Sequence, residues 1–400
     1  MANIDSIAAH TVSDSRGMPT VEVVIRSGNI EARAKVPSGK SAGTREACEL
    51  RDKDGRGVSQ AIDNVNMIIA PALRGVPIDP VLVDERLCAL DGTENKIKLG
   101  ANATLGISIA VLRVAAITAG VPLWKYIAEQ THSEPSFPHL YMNMLNGGAH
   151  ASFRLPFQEY IVVVGGQSVH RTYAEAGKIF ETLGKLIRER YGEVPMGDEG
   201  GYSPDLRGIE KPFALLEEAM EGELGAFIAI DAAASEFFHD GTYIVEGTPY
   251  GASELEWVYE HLVSRFHMKS IEDPFDESDF SAFETITRKM GDNVLIVGDD
   301  LTVTNPRIMK EMVAQRRANA MIIKPNQIGT MTEVFEAVRI AREAGWRLIV
   351  SHRSGETDDA FIADLTVGIG AYGLKAGAPT QYERRVKYER LLKIEKEFTI

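Results

Sequence analysis

The sequence predicts an α/β protein in two parts: an α+β capping domain over residues 1–130, then a closed β/α barrel over residues 131–400. Three observations carry that prediction. The chain opens with a hairpin pattern followed by helical stretches, and from about Pro138 short apolar strands alternate with amphipathic helices. In that second part, successive strands end on charged residues about one βα unit apart.

In the first part, Thr20–Arg26 (TVEVVIR) and Ile30–Val36 (IEARAKV) alternate apolar and polar residues around Ser27-Gly28-Asn29, a hairpin signature. Helical spacing follows near Val58–Ile69 and Ala101–Thr118, so sheet first and helices after reads as α+β. Residues Gln130–Phe137, with Ser, Glu and Pro, read as a linker. Beyond them, the strands expected at Ala226–Asp231, Val294–Gly298, Ala320–Lys324 and Leu348–Ser351 alternate with amphipathic stretches at Ile308–Arg316, Met331–Ala344 and Asp359–Val367.

The strand ends separate a barrel from an open sheet. They carry Asp231, Glu272 with Asp273, Asp299 with Asp300, Lys324, His352 with Arg353, and Lys375, at successive separations of 41, 27, 25, 28 and 23 residues. A barrel brings all such ends to one face, where the active site sits; an open sheet leaves the outermost too far apart to share a site.

Bulk composition narrows the function. With 57 acidic and 43 basic side chains the net charge is −14, which argues against a nucleic-acid-binding face or an anionic membrane partner. A small anionic substrate remains open if cations are gathered locally. No stretch approaches the ~18 consecutive apolar residues of a membrane helix. The N-terminus lacks a basic stretch followed by an apolar one, so no secretory signal is expected. Cys48 and Cys88 are the two cysteines and read as reduced structural thiols of a cytoplasmic protein.

Asp231, Glu272 and Asp299 are hard oxygen ligands from three successive strands, a set suited to an octahedral divalent cation, most plausibly Mg²⁺. Each alone would cap a helix or form an ion pair; three facing Lys324 and Lys375 are harder to explain that way. Lys324 follows apolar AMII, so burial and a nearby metal are expected to lower its pKa towards that of a general base, while Lys375 stays charged as a clamp. In Ser351–Glu356, Arg353 offers a bidentate fork and Ser354 a hydroxyl expected beside a helix N-terminus, a plausible phosphate cradle; the bland reading is helix capping. Gly197-Asp198-Glu199-Gly200-Gly201 suits a carboxylate in a tight loop. Gln158-Glu159 places another carboxyl at the start of a strand, and His150 sits in a flexible glycine-bearing segment. Gly39-Lys40-Ser41 mimics a phosphate-binding loop, but Ala34 stands where that motif needs glycine; a lid bearing the Ser41 hydroxyl is the better reading.

Taken together, Asp14–Gly17, Glu49–Asp52, Leu90–Thr93, Leu99–Ala103, Asn146–Gly148 with His150-Ala151, Gln158-Glu159, Gly197–Gly201, Ser235–Phe237, Ser270–Pro274, Gly298–Leu301, Asn326–Thr330 and Ser351–Thr357 resemble the enolase family across nearly the whole chain. The resemblance implies an enolase-type modified (β/α)8 TIM barrel and a hydro-lyase that removes water from 2-phosphoglycerate to give phosphoenolpyruvate. It implies two Mg²⁺ per site, the first on Asp231, Glu272 and Asp299, the second helped by Ser41 and joining with substrate. Lys324 would be the base, a base–metal pairing known for the superfamily. Lys375 would stabilise the resulting charge, and Glu199, assisted by Glu159, would protonate the departing hydroxyl. Arg353, Ser354 and the adjoining His352 would bind substrate, with His150 closing over its phosphate. The family also implies a homo-oligomer, a dimer or octamer.

The lid departs from the family pattern: Ser38-Gly39-Lys40-Ser41-Ala42-Gly43 stands where Ser-Gly-Ala-Ser-Thr-Gly is usual, Ser152-Phe153 follows His150-Ala151, and Pro325 follows the base lysine where Val is usual. Lys40 adds a cation to the substrate-binding set. It leaves open an alternative substrate with an extra anionic group, as in the dehydration that forms carboxyphosphonoenolpyruvate in antibiotic biosynthesis. A catalytically silent scaffold is a third reading, and the intact ligands, base and acid weigh against it.

Overall fold

The computed structural model describes residues 2–398 except 41–42, 152–154, 167 and 224, and His150 by its backbone alone. Strands β1 (Ser6–Ser13), β2 (Pro19–Ser27) and β3 (Ile30–Lys35) form an antiparallel sheet in that order. The expected hairpin joins β2 to β3: Ser27 pairs with Ile30 across Gly28-Asn29, and Gly28 takes φ +58°, where a Cβ would be strained. β1 escaped the sequence reading because its exposure does not alternate cleanly. Helix Ala101–Ala119 packs on this sheet. A Cβ on Gly106 would lie 2.5 Å from Val23 Cγ2, so glycine sets the close approach. By length and composition this helix is apolar enough to cross a membrane, yet 83% of its apolar window is buried inside the protein.

The helix expected near Val58–Ile69 is interrupted: α-turns Ser59–Asp63 and Ala70–Leu73 flank a wide π segment, Asn64–Ile69. Asn66 exchanges hydrogen bonds with the backbone of Ala9 (2.9 and 3.2 Å), and Asn64 Nδ2 donates to the carbonyls of Lys98 and Leu99. Helix Pro80–Asp91 was not expected, although its punctuation is present. Asp79 caps the amides of Val81 and Leu82, Pro80 opens it, and Gly92 closes it at φ +68°.

Eight strands close the barrel: β4 (His139–Asn146), β5 (Glu159–Val164), β6 (Phe227–Asp231), β10 (Met268–Glu272), β11 (Leu295–Gly298), β12 (Ala320–Ile323), β13 (Arg347–Ser351) and β14 (Gly373–Lys375). Between β6 and β10 a small separate sheet holds β7 (Phe238–His239), β8 (Thr242–Val245) and β9 (Thr248–Tyr250). β5 runs antiparallel to β4 and β6, and the other neighbours are parallel. Parallel strands covered on both faces read as continuous apolar runs, as AMII and LIVG do. Inside the barrel, Tyr141, Ile161, Ala229, Val297, Ile322 and Ile349 form a buried apolar plug. The helix expected from Asp359 begins at Phe361. Asp359 instead accepts hydrogen bonds from Lys35 N (3.0 Å) and Arg113 Nη1 (2.8 Å), which pins the N-terminal sheet and its helix to the barrel.

Candidate active site

Around the barrel the strands follow one another as β5, β6, β10, β11, β12, β13, β14, β4. Glu159 opens β5, and because that strand is antiparallel its start lies at the same end as the other strands' C-termini, paired with Asp231. Lys324 follows β12, four strands away, hence on the opposite wall. Asp231, Glu272 and Asp299 end the three strands between them. Glu159, Asp231, Asp299 and Lys324 line a cleft together with Glu199, Arg353, Ser354, His352 and Lys375, and Glu272 stands behind it on Lys375.

Lys375, at the end of β14, reaches across the mouth. Its Nζ lies 2.8 Å from both Glu272 carboxylate oxygens, 2.9 Å from Asp231 Oδ2 and 3.2 Å from Glu159 Oε1. Burial alone would lower its pKa, but those three carboxylates hold it well above the ordinary lysine value. Lys324 Nζ pairs with Asp299 Oδ2, whose other oxygen accepts from Gln327 Nε2 at 2.9 Å. Here the expected depression of the Lys324 pKa is reversed. Burial lowers it, but the adjacent Asp299 outweighs burial and raises it. Burial likewise raises Asp299, and Lys324 brings it below the usual carboxylate value.

Among the described residues, the three carboxylates grouped most like metal ligands are Asp273, Asp299 and Asp300, with oxygens within 4.8 Å of one another. Only Asp299 belongs to the expected trio. Asp273, at φ +41°, accepts the amides of Asp299 and Asp300 at 2.9 and 2.8 Å, so it staples the turn after β11. Asp231 and Glu272 flank the Lys375 ammonium. The cleft walls carry eight acidic side chains against three cations. Burial, then neighbouring carboxylates, drive the pKa of Glu272 well up, and Asp300 reaches about 8 for the same causes. An acidic excess already gathered around one ammonium is a donor set that fits a hard divalent cation.

On the opposite wall, Asn143 Nδ2 bridges Glu199 Oε2 (2.9 Å) and Glu159 Oε2 (3.2 Å). Burial and then Glu199 raise the Glu159 pKa well above its usual value. Asn143 was missed by sequence reasoning; its signal was a polar residue within apolar HLYMNMLN.

Arg353 Nη1 and Nη2 hold Glu46 at 2.9 and 3.1 Å, so the capping part supplies a carboxylate that the motifs did not reveal. Ser354 is not beside a helix N-terminus. Six residues separate it from Phe361, and its Oγ accepts from Lys40 N at 2.7 Å, next to a reciprocal backbone pair between Ser38 and Gly355. The Lys40 ammonium turns to Asp198 Oδ2 (2.8 Å) and the Ala149 carbonyl (3.1 Å) and does not line the cleft. His150 has its backbone in the short turn Gly148–Ala151. Ser41, Phe153 and the His150 side chain lie outside the described residues.

This arrangement meets its counterpart in known proteins. A sequence-family model of the enolase N-terminal domain matches residues 4–127, and one of the enolase C-terminal TIM barrel domain matches residues 134–399. The chain belongs to the enolase family. It is 46% identical over 415 residues to the Enolase of Methanopyrus kandleri, covering 99% of this chain and 96% of that one. It is 44% identical over 410 residues to the Enolase of Thermococcus gammatolerans (98% and 95% covered) and 43% over 420 residues to Enolase B of Dictyostelium discoideum (99% and 95%). As a family member it is an enolase-type hydro-lyase, and the antiparallel β5 is the modification of the barrel that the resemblance implied.

Proposed function

We propose that this chain is a Mg²⁺-dependent dehydratase that converts 2-phosphoglycerate into phosphoenolpyruvate. The observation that carries the reading is the placement of a basic side chain, Lys324, and a carboxyl pair, Glu159 with Glu199, on opposite walls, with Asp231, Glu272 and Asp299 on the strands between. Elimination of water needs both roles at once: a proton leaves C2 on one side while the C3 hydroxyl leaves protonated on the other.

In this reading Asp299 would turn from Lys324 to the metal, and Lys324 Nζ, then free to act as the neutral amine, takes the C2 proton, while Glu199 gives a proton to the departing hydroxyl, which leaves as water. Glu159, joined to Glu199 through Asn143, assists it. Lys375 holds its charge against the carboxylate end of the substrate, where the extra negative charge develops. Arg353 and Ser354, with His150, hold the phosphate, and Arg353 must exchange its Glu46 partner for it. Asp231, Glu272 and Asp299 would hold the first Mg²⁺, and Ser41 would help hold the second. Bound there, Mg²⁺ supplies the positive field that makes a proton beside a carboxylate acidic enough to remove. The same proposal places the chain in cytoplasmic glycolysis as a homo-oligomer, with its capping domain ending near residue 130.

The more anionic substrate rested on Lys40, and the contacts of that ammonium with Asp198 and the Ala149 carbonyl favour 2-phosphoglycerate. The test is turnover of 2-phosphoglycerate by the purified protein, followed by the absorbance of the enol phosphate. Turnover on the order of 10 s⁻¹ with Mg²⁺, abolished by a chelator and restored by Mg²⁺, is expected. No phosphoenolpyruvate under saturating Mg²⁺ would overturn the reading.

A further inference from the structure

Behind Glu199 stands a layer of buried side chains that the chemistry above does not use. Arg384, in helix Tyr382–Phe398, is 0% exposed. An arginine does not shed its proton, so burying one is costly unless its donors are met. Here Nη1 donates to the Arg353 carbonyl at 2.6 Å and also to His352 Nδ1. Nη2 donates to the carbonyls of Ser354 (2.8 Å) and Asp198 (3.4 Å), and Nε to Gln381 Oε1 (3.3 Å).

This arrangement fixes the state of a histidine. Guanidinium has donors only, so the ring nitrogen facing it must accept, and the single proton of a neutral imidazole then sits on Nε2. His352 Nε2 lies 3.4 Å from Glu199 Oε2. The charged groups facing the ring are Glu199, Arg384 and Lys375. Burial dominates, Glu199 opposes it, and the two cations reinforce it, so the His352 pKa falls to about 3. The pose is fixed by Gly377 at φ +76°, where a Cβ would stand 2.9 Å from His352 Cε1, 3.0 Å from the Glu199 carbonyl oxygen and 3.1 Å from Arg384 Cδ.

We propose that Arg384 is a positioning residue for proton delivery: it locks His352 as the Nε2–H tautomer, and His352 and Asn143 together present N–H groups towards Oε2 of Glu199. The proposal rests on the reading that Glu199 protonates the departing hydroxyl. It follows the general logic by which a buried partner sets a catalytic histidine's tautomer, carried one residue further to a carboxyl. His352, expected to bind substrate, then acts through Glu199.

The test begins with the unaltered protein. ¹⁵N NMR of histidine-labelled, Mg²⁺-saturated protein, with the His352 signal assigned by its loss in His352→Gln, should show an unprotonated Nδ1 and a protonated Nε2 from about pH 6 to 9. An Nδ1–H tautomer, or an imidazolium forming in that range, would overturn the proposal. His352→Phe should lower kcat for dehydration roughly tenfold to hundredfold with KM within about threefold. Exchange of the substrate C2 proton with solvent deuterium, which depends on Lys324, should keep its rate, and His352→Gln, which retains an N–H, should recover most of the loss. Exchange and dehydration falling together would mark a packing role and sink the idea. Arg384→Met should mix the tautomers; if that variant does not fold, the unaltered protein's spectrum decides. Glu199→Gln separates the two levels: if it dehydrates normally, the reading of Glu199 itself fails whatever the tautomer.

Discussion

Ile322 and Lys324 stand two residues apart at one inward-facing position of the barrel, and the same step separates Val297 from Asp299, Ala229 from Asp231 and Ile161 from Glu159. The inner layer is an apolar plug. The outer layer, scarcely more exposed except at Lys324, carries ionisable groups. The plug meets burial by removing apolar surface from water, and each side chain contributes stability without reference to a ligand. The mouth meets burial with charges that compensate one another incompletely, so Glu159 and Glu272 drift up in pKa, Asp299 is held down beside Lys324, and Lys324 and Lys375 are held above the ordinary lysine value. One rigid strand thus spends one residue on stability and places the second-next where it is electrostatically uncomfortable, which is where a metal and a reacting anion gain most.

The largest effect expected from breaking this pairing is in the outer layer. Lys324→Ala should lower kcat by about 10²–10⁴-fold, the span assigned to a positioned base, with the fold retained by circular dichroism. A variant that turns over normally would transfer the base role elsewhere.

A partly buried carboxylate away from the mouth sharpens the contrast. Asp359 is matched by one cation, Arg113. Burial alone would raise its pKa, but Arg113 brings it down to about 2, whereas Glu159 and Glu272 at the mouth rise. Its folded value lies below the ~3.9 of an unfolded aspartate, so the stabilisation is present above about pH 4 and is lost as pH falls towards 2. Asp359→Asn, leaving the partly buried Arg113 without its charge partner, should cost about 1–3 kcal/mol at neutral pH and flatten the acid limb of the stability profile. Denaturant titrations at several pH values read both. In the plug, Ile322→Val should cost about 1 kcal/mol and leave kcat within twofold, because its lost methyl faces no reacting atom.

Legibility in the sequence follows the same division. The strand ends could be read because each falls one βα unit after the last, and a barrel converts that spacing into convergence. Glu159 was readable as a carboxyl at a strand start, but not that its strand runs backwards, since β5 is as apolar as its parallel neighbours. Glu199 sits on a loop without periodicity and needed the family motif. The Lys324 pKa was misjudged because its pairing with Asp299 is a contact between strand ends 25 residues apart, and apolar AMII announces burial but not a counter-charge. Arg384 carried no signal: in a helix dense in Arg, Lys and Glu, nothing marks the one cation that turns inward.

The smallest expected effect concerns Lys40, which no barrel strand positions. Its ammonium is about half exposed and pairs with Asp198, and exposed pairs of this kind are worth about 0–1 kcal/mol. Lys40→Ala should therefore leave the melting temperature almost unchanged. Because the amine is directed at Asp198 and the Ala149 carbonyl, kcat/KM for 2-phosphoglycerate should change by less than about threefold. If Lys40 instead turned inward to meet a more anionic substrate, Lys40→Ala would spare 2-phosphoglycerate and weaken a carboxylated phosphonate analogue by a charge-pair's worth, about tenfold or more. Steady-state comparison of the two substrates on both proteins therefore decides between them. Equal, small changes on both would leave Lys40 as a strap between two loops, and the discrimination of substrate to the rigid mouth.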